Sequence, residues 1–195
     1  MSQGRPIEFD LAVALQAAME AFWRQGYEAT SLQDLLGAMG ISRSSFYQAF
    51  GSKHELFERC LALFRERQVQ RMMSALGKAP SGREFLRTVL YSMVQEARKT
   101  QAPKGCLIMN TATEFSGRDA VISELVSDGI RQFSGVFRAA VVRAQEEGDI
   151  SRSRSADVLA NYMVTVVSGL KTMVKAGLGP AAIEEVVEVA LDTLQ

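Results

Sequence analysis

The chain is predicted to be all-α. Its apolar residues recur at intervals of three and four along nearly the whole length, and the alternating β-branched runs that mark strands are missing. Four prolines, Pro6, Pro80, Pro103 and Pro180, fall between the periodic segments, where a residue that breaks helix interiors is tolerated. With 195 residues the chain can bury one generous core or two unequal ones.

The first helix is expected from about Phe9 to Gln25, with Leu11, Ala14, Leu15, Ala18 and Phe22 on one face and Gly26 as its stop. A short second helix starts at Ser31, where Ser31 and Asp34 have capping-box spacing, and ends at Gly40. A third runs from Ser42 to Phe50. Ser52 and Glu55 repeat the capping box and open a long helix to Leu76, with Leu56, Cys60, Leu63 and Phe64 as its apolar stripe. Five more follow, over Ser81 to Thr100, Gly105 to Phe115, Asp119 to Glu147, Ser155 to Ala176 and Ala181 to Leu194. The last two are too apolar for one small bundle to bury and suggest a subunit interface. The expected division is 1–51 as an N-terminal unit and 52–195 as a C-terminal one, with 52–76 linking them.

Charge and composition exclude several functions. Lys plus Arg number 22 and Asp plus Glu number 22, so the chain is no bulk polycation held to nucleic acid by released counterions. The two cysteines, Cys60 and Cys106, lie far apart, and the single histidine, His54, leaves a zinc site without a second imidazole. No metal and no cofactor are expected. With no apolar leader and no run of about 18 apolar residues, the reading is a reduced, cytoplasmic chain with no membrane partner. Catalysis would need a nucleophile with its base, paired carboxylates or a phosphate loop; none of GxSxG, GxGxxG or a P-loop is present.

The informative segment is SLQDLLGAMGISRSSFYQAF, residues 31–50. It reads as helix, glycine turn, helix, the order of a helix-turn-helix. A recognition helix enters a major groove about 12 Å wide and therefore presents short hydrogen-bonding groups outward. Ser42, Arg43, Ser44, Ser45, Tyr47 and Gln48 meet that requirement, while Phe46 and Phe50, one turn apart, face inward toward Leu35 and Leu36. Two short helices around a glycine also occur in bundles that bind no DNA, so a helical adaptor stays open as an alternative at this point.

A wider string is more specific. Ala18, Phe22, Gly26, Tyr27, Thr30, Ser31, Leu32, Leu35, Gly40, Ile41, Ser42, Phe46, Tyr47, Phe50, Ser52, Lys53, Leu56 and Phe57 resemble the N-terminal signature of the TetR family of bacterial transcription regulators over residues 9–60. The resemblance implies a homodimer, formed here through the last two helices, whose three-helix DNA-binding domain is joined by a long fourth helix to a helical effector-binding and dimerisation domain. It implies a repressor on a palindromic double-stranded operator, released by a small-molecule effector or by cysteine modification. Carried over position by position, Thr30, Ser31 and Lys53 resemble phosphate contacts, Arg43, Ser44, Ser45 and Gln48 the base-reading face, and Tyr47 an aromatic near the backbone. Gly4, Arg5 and Pro6 resemble an arm laid along the minor groove. His54 is expected to be a solvated histidine at a helix start.

The stretch GCLIMNTATE, residues 105–114, is similar to a segment in one branch of the family, where a cysteine in some members reacts with electrophiles or oxidants. Cys106 is the corresponding residue. Lys104 and a helix N-terminus beside it favour a thiolate; burial as a small hydrophobe is the competing role. Asn110, Thr113 and Glu114 could face an effector cavity or cap neighbouring backbone, and Tyr91, Met93, Phe133 and Tyr162 are candidates for its walls.

Overall fold

The structure is a computed structural model and describes residues 9–99, 102–115 and 117–194. Among them are nine α-helices and no strand: α1 (Leu11–Gln25), α2 (Leu32–Met39), α3 (Arg43–Phe50), α4 (Lys53–Lys78), α5 (Gly82–Ala97), α6 (Leu107–Phe115), α7 (Ala120–Glu146), α8 (Ala156–Lys175) and α9 (Pro180–Asp192). The Gly4–Pro6 arm lies outside the described residues.

Local chemistry sets most of the helix starts. The side chains of Asp10, Ser31, Ser42, Ser52, Ser81, Asp119 and Ser155 each accept a hydrogen bond from an amide of the first helical turn, which satisfies donors that have no partner inside the helix. α1 therefore begins after Asp10, two residues later than Phe9, and α9 begins on Pro180 itself, whose fixed φ suits a first turn. Gly40 ends α2 at φ 65°, a left-handed conformation that costs a side-chain-bearing residue about 1 kcal/mol, and so makes the turn between α2 and α3.

Two clusters of buried residues hold the chain together. One gathers Phe22 of α1, Leu35 of α2, Phe46 and Phe50 of α3 and Leu56, Phe57, Leu61 and Phe64 of α4. Leu107 and Ile108 of α6 and Ile122 and Val126 of α7 belong to the same cluster, so burial runs across the 51/52 boundary and seats α6 against the N-terminal helices. The other is formed by Leu76, by Leu86, Leu90 and Val94 of α5, by Phe137 and Val141 of α7, and by the inner faces of α8 and α9. Helix α5 enters this second core very close to α7: a Cβ on Gly82 would stand 2.3 Å from the carbonyl oxygen of Ala140 and 2.6 Å from the amide nitrogen of Ala144. Only glycine permits that approach.

Candidate DNA-reading face and effector pocket

α3 is held from beneath and open above. Phe46 and Phe50 are buried, packed on Leu35, while Arg43, Ser44, Tyr47 and Gln48 are exposed and Ser45 is half-buried. Ser42 serves first as the cap of α3: its Oγ accepts from the Ser45 amide at 3.1 Å and lies 2.9 Å from the hydroxyls of both Ser44 and Ser45. The freely presented groups are thus Arg43, Tyr47 and Gln48, with the hydroxyl of Ser44 beside them.

Lys53, at the start of α4, is half-buried and directed by an aromatic ring: its Nζ lies 4.3 Å from the centroid of Tyr27. Tyr27 in turn packs on Phe22, Phe57 and Phe115. The placing of Lys53 by Tyr27 was not legible in the sequence, although both residues belong to the family-like string.

Thr30 must be corrected. It is completely buried, and its hydroxyl donates to the carbonyl of Gly26 at 2.5 Å, so it closes the turn after α1 and offers a phosphate nothing. Ser31 is exposed, but its hydroxyl donates to Asp34 at 2.6 Å and its amide donates to the same carboxylate oxygen at 2.9 Å. Those hydrogen bonds hold the Asp34 carboxyl below its ordinary value.

His54 also departs from expectation. It is not a free helix-start histidine: Nδ1 lies 2.8 Å from Glu58 and Nε2 lies 2.7 Å from Asp119, the cap of α7. Burial pulls the imidazole down, and the hydrogen bonds to Asp119 and Glu58 outweigh it, so its pKa is raised. The ring thereby pins the base of the linking helix to the start of α7.

The second site is a cavity of about 220 Å³ between α4, α5, α7 and α8. Met72, Val89, Met93, Phe133, Phe137, Val164 and Val167 make its walls apolar, and Gln68, Ser92, Ser168, Cys106 and Lys171 place a few polar groups in them. Lys171 donates to Glu96 at 2.9 Å. Phe133 and Met93 therefore line the cavity, whereas Thr113, whose hydroxyl donates to the Met109 carbonyl at 3.1 Å, and four other candidates lie elsewhere. Tyr91 donates its hydroxyl to Glu188 and ties α5 to α9, and Tyr162 packs against the second core. Asn110 donates to the carbonyl of Lys104 at 2.9 Å and holds the chain entering α6.

Glu114 is the fourth, and it has a different role. Its carboxylate accepts from the amides of Tyr27 at 3.0 Å and Glu28 at 2.8 Å, clamping the turn between α1 and α2 from the end of α6. The opposite end of α6 grips α1 as well. Lys104 donates to Glu20 at 2.7 and 2.9 Å and lies 4.1 Å above the Trp23 ring, whose indole N–H donates to the Gly105 carbonyl at 3.1 Å. Gly105 and Cys106 are themselves part of the cavity wall. α6 accordingly spans from the cavity to the N-terminal unit and holds it at both ends.

Burial pushes the Cys106 thiol up, against the amides of Met109 and Ile108 and the charge of Lys171, so the thiol stays neutral. Lys104, expected to favour a thiolate, is instead engaged by Glu20 and Trp23. Cys60 is buried and its thiol is also raised, by desolvation alone. Among the described residues there is no group of three or more His, Cys, Asp or Glu placed to hold a metal ion, and no helix long and apolar enough to cross a membrane.

Comparison with known proteins agrees with this architecture. Residues 14–60 match the tetR family of bacterial regulatory proteins and residues 82–190 match the tetracyclin repressor-like C-terminal domain. An uncharacterised HTH-type transcriptional regulator of Bacillus subtilis, YezE, is 30% identical over 98% of this chain and 99% of its own. The HTH-type transcriptional repressor ComR of Escherichia coli is 26% identical over 100% of this chain and 91% of its own. Among solved structures, a cysteine-substituted form of the TetR family regulator CifR, bound to a 26-bp double-strand operator DNA, superposes with a TM-score of 0.83. It is 32% identical and covers 98% of this chain and 100% of that one. With a helix-turn-helix on an aromatic base, a long linking helix and a helical domain around a cavity, this chain belongs to the TetR family of bacterial regulatory proteins.

Proposed function

We propose that the chain acts as a homodimeric repressor on a palindromic operator and that a small molecule entering the 220 Å³ cavity releases it. The observation that carries this reading is the outward face of α3, where Arg43, Ser44, Tyr47 and Gln48 stand exposed over buried Phe46 and Phe50, with Lys53 beside them. Arg43 is assigned to guanine or phosphate, Gln48 to adenine and Lys53 to phosphate. Ser42 caps the helix that carries Arg43 and Gln48, with Ser45 bonded to that cap, and Ser31 caps α2 beneath it; all three are assigned to the DNA-facing side. That both relatives cited are named transcriptional regulators, one of them a repressor, supports the reading.

The dimer is assigned to α8 and α9. Val158, Met173, Val186 and Val189 stand 57, 51, 45 and 65% exposed along these two helices, an apolar face that a second copy would cover. Two recognition helices about one duplex turn apart, ~34–36 Å, then read two half-sites. An effector shifts this equilibrium only if it binds the released arrangement better. The route we assign runs through the segment before α6: a ligand that displaces Gly105 and Cys106 would move the residues whose Lys104 ammonium and Gly105 carbonyl hold Glu20 and Trp23. Modification of Cys106, which lines the cavity, would act along the same route.

The test is selection of bound duplexes from a random pool, followed by affinity measurements on the selected site with Arg43→Ala and Lys53→Ala. Each variant is expected to lose about tenfold or more. Unchanged affinity in both would remove α3 and Lys53 from the interface. Release by an electrophile that is equal in wild type and Cys106→Ser would remove Cys106 from the switch.

A further inference from the structure

A second cavity, of about 180 Å³, lies between α1 and α4 and is lined by Gln16, Met19, Glu20, Trp23, Phe64, Arg67, Gln68 and Arg71. It shares Phe64 and Gln68 with the larger cavity but is walled by α1 rather than by α5, α7 and α8. We propose that this cleft is a separate binding site for a small organic carboxylate with a short apolar body.

Its charge is arranged for an anion. Arg67 and Arg71 stand one helical turn apart on α4, and neither makes an ion pair or side-chain hydrogen bond among the described residues, although Arg67 is half-buried. The other arginines of this stretch of α4 are occupied: Arg59 donates to the Ala49 carbonyl and Arg65 to Asp128. The one carboxylate in the cleft, Glu20, is already bound by Lys104 at 2.7 Å and Arg24 at 2.9 Å. Those hydrogen bonds outweigh its burial and keep it ionised and neutralised, which leaves both guanidinium groups for an incoming carboxylate.

The walls define the rest of the ligand. Met19, Trp23 and Phe64 form an apolar floor, and Gln16 contributes a side-chain amide whose buried Oε1 has no hydrogen-bond partner. An ionised carboxylate only accepts hydrogen bonds, so its partner on Gln16 would be the side-chain NH₂ and not Oε1. At 180 Å³ the cleft takes a fragment rather than a drug-sized molecule. Because Gln16 and Trp23 belong to α1 and Arg67 and Arg71 to α4, an occupant would bridge the N-terminal unit to the linking helix, about 20–27 Å along α4 from Lys53.

Trp23 is the chain's single tryptophan and lines the cleft, so its emission reports on the site. The full-length protein is titrated with sodium hexanoate at ionic strength held by sodium chloride, with hexanol as the uncharged control. Hexanoate is expected to give a saturable change in Trp23 emission, weakened about tenfold or more in Arg67→Gln/Arg71→Gln and kept in Val164→Phe, which narrows only the larger cavity. Val167→Phe makes the same separation if Val164→Phe no longer unfolds cooperatively. No saturable response, or an equal response to hexanol, overturns the proposal. So does a response lost in Val164→Phe but kept in the arginine double variant, since that result assigns the acid to the effector cavity and leaves the effector reading standing.

Discussion

The core beneath the recognition helix is aromatic, whereas the second core, which borders the 220 Å³ cavity, is mostly aliphatic and methionine-bearing. Phe22, Phe46, Phe50, Phe57, Phe64, Trp23 and Tyr27 mesh with Phe9 and with Phe115 of α6, and every ring–ring pair among the described residues belongs to this region. The second core relies on Leu86, Leu90, Val94, Met93, Met163, Val141 and Val174, with Phe85 and Phe137 unpaired to other rings. Rings have few rotamers and preferred contact angles, so they fix the angle at which α3 stands. Aliphatic and thioether side chains repack at low cost around a cavity of changing occupancy. A rigid reading unit is thus joined to a more adaptable core: α4 and α7 contribute buried residues to both, and α6 packs on the first while Gly105 and Cys106, which lead into it, line the cavity.

The largest effect that could break this contrast is expected from Phe57→Ala. Phe57 is 1% exposed and contacts the rings of Phe22, Tyr27 and Phe115, so its loss should cost about 3–5 kcal/mol. Val164→Ala, at the cavity wall, should cost about 1 kcal/mol, because its methyl groups already border empty space. Urea unfolding of both variants checks the pair; equal losses would mean that the two cores are equally rigid. A second large effect, at the face proposed above for the dimer, is expected from Val186→Glu/Val189→Glu. Charges there should give monomers by sedimentation and weaken operator binding at least tenfold, because one half-site is then read alone.

Next in size is the clamp at the end of α6. Glu114→Gln keeps the shape but removes the charge that receives the Tyr27 and Glu28 amides, at an expected cost of about 1–2 kcal/mol. If α6 is the link, this variant should also weaken the coupling between effector and operator, measured as the ratio of operator affinities with and without effector. An unchanged ratio would leave α6 as packing only.

The smallest effect is pH dependence at His54. Its folded pKa is raised above 6.5, so its contribution to stability is complete below 6.5 and is lost as pH rises through the higher folded value. Asp119 is held below 3.8 by the Ile122 amide and by His54, so its contribution is present above 3.8 and is lost only as pH falls through the lower folded value. Between these limits both are engaged. The urea midpoint should decline from pH 6 to pH 8.5 in wild type, and His54→Gln should flatten that decline.

Much of the fold was legible because its determinants are local. A serine or aspartate followed by helical spacing marks the start of α2, α4, α5, α7 and α8, and the cap hydrogen bonds found there involve residues three apart. The outward face of α3 follows from the same periodicity that buries Phe46 and Phe50. The contacts joining the two regions were not legible. Glu114 meets Tyr27 across 87 positions, Lys104 meets Glu20 across 84 and His54 meets Asp119 across 65, and no periodicity relates such pairs. Thr30 misled for a related reason: a hydroxyl before a helix suits a phosphate contact, yet here the turn after α1 folds it back onto Gly26. Net charge gave a further constraint. Residues 1–60 hold 5 basic and 7 acidic side chains, so operator discrimination has to rest on a few placed groups.

The most direct measurement is operator affinity as a function of salt, for wild type, Lys53→Ala and Arg43→Ala, on a selected palindromic duplex and on random DNA. The expected result is weak binding to random DNA at physiological salt and tight binding to the palindrome. For Lys53→Ala the slope of log K against log salt should become shallower by about 0.9 for each phosphate contact removed. Arg43→Ala should lower affinity for the palindrome more than for random DNA. Tight binding to random DNA, or slopes and affinities the same in all three proteins, would contradict the account.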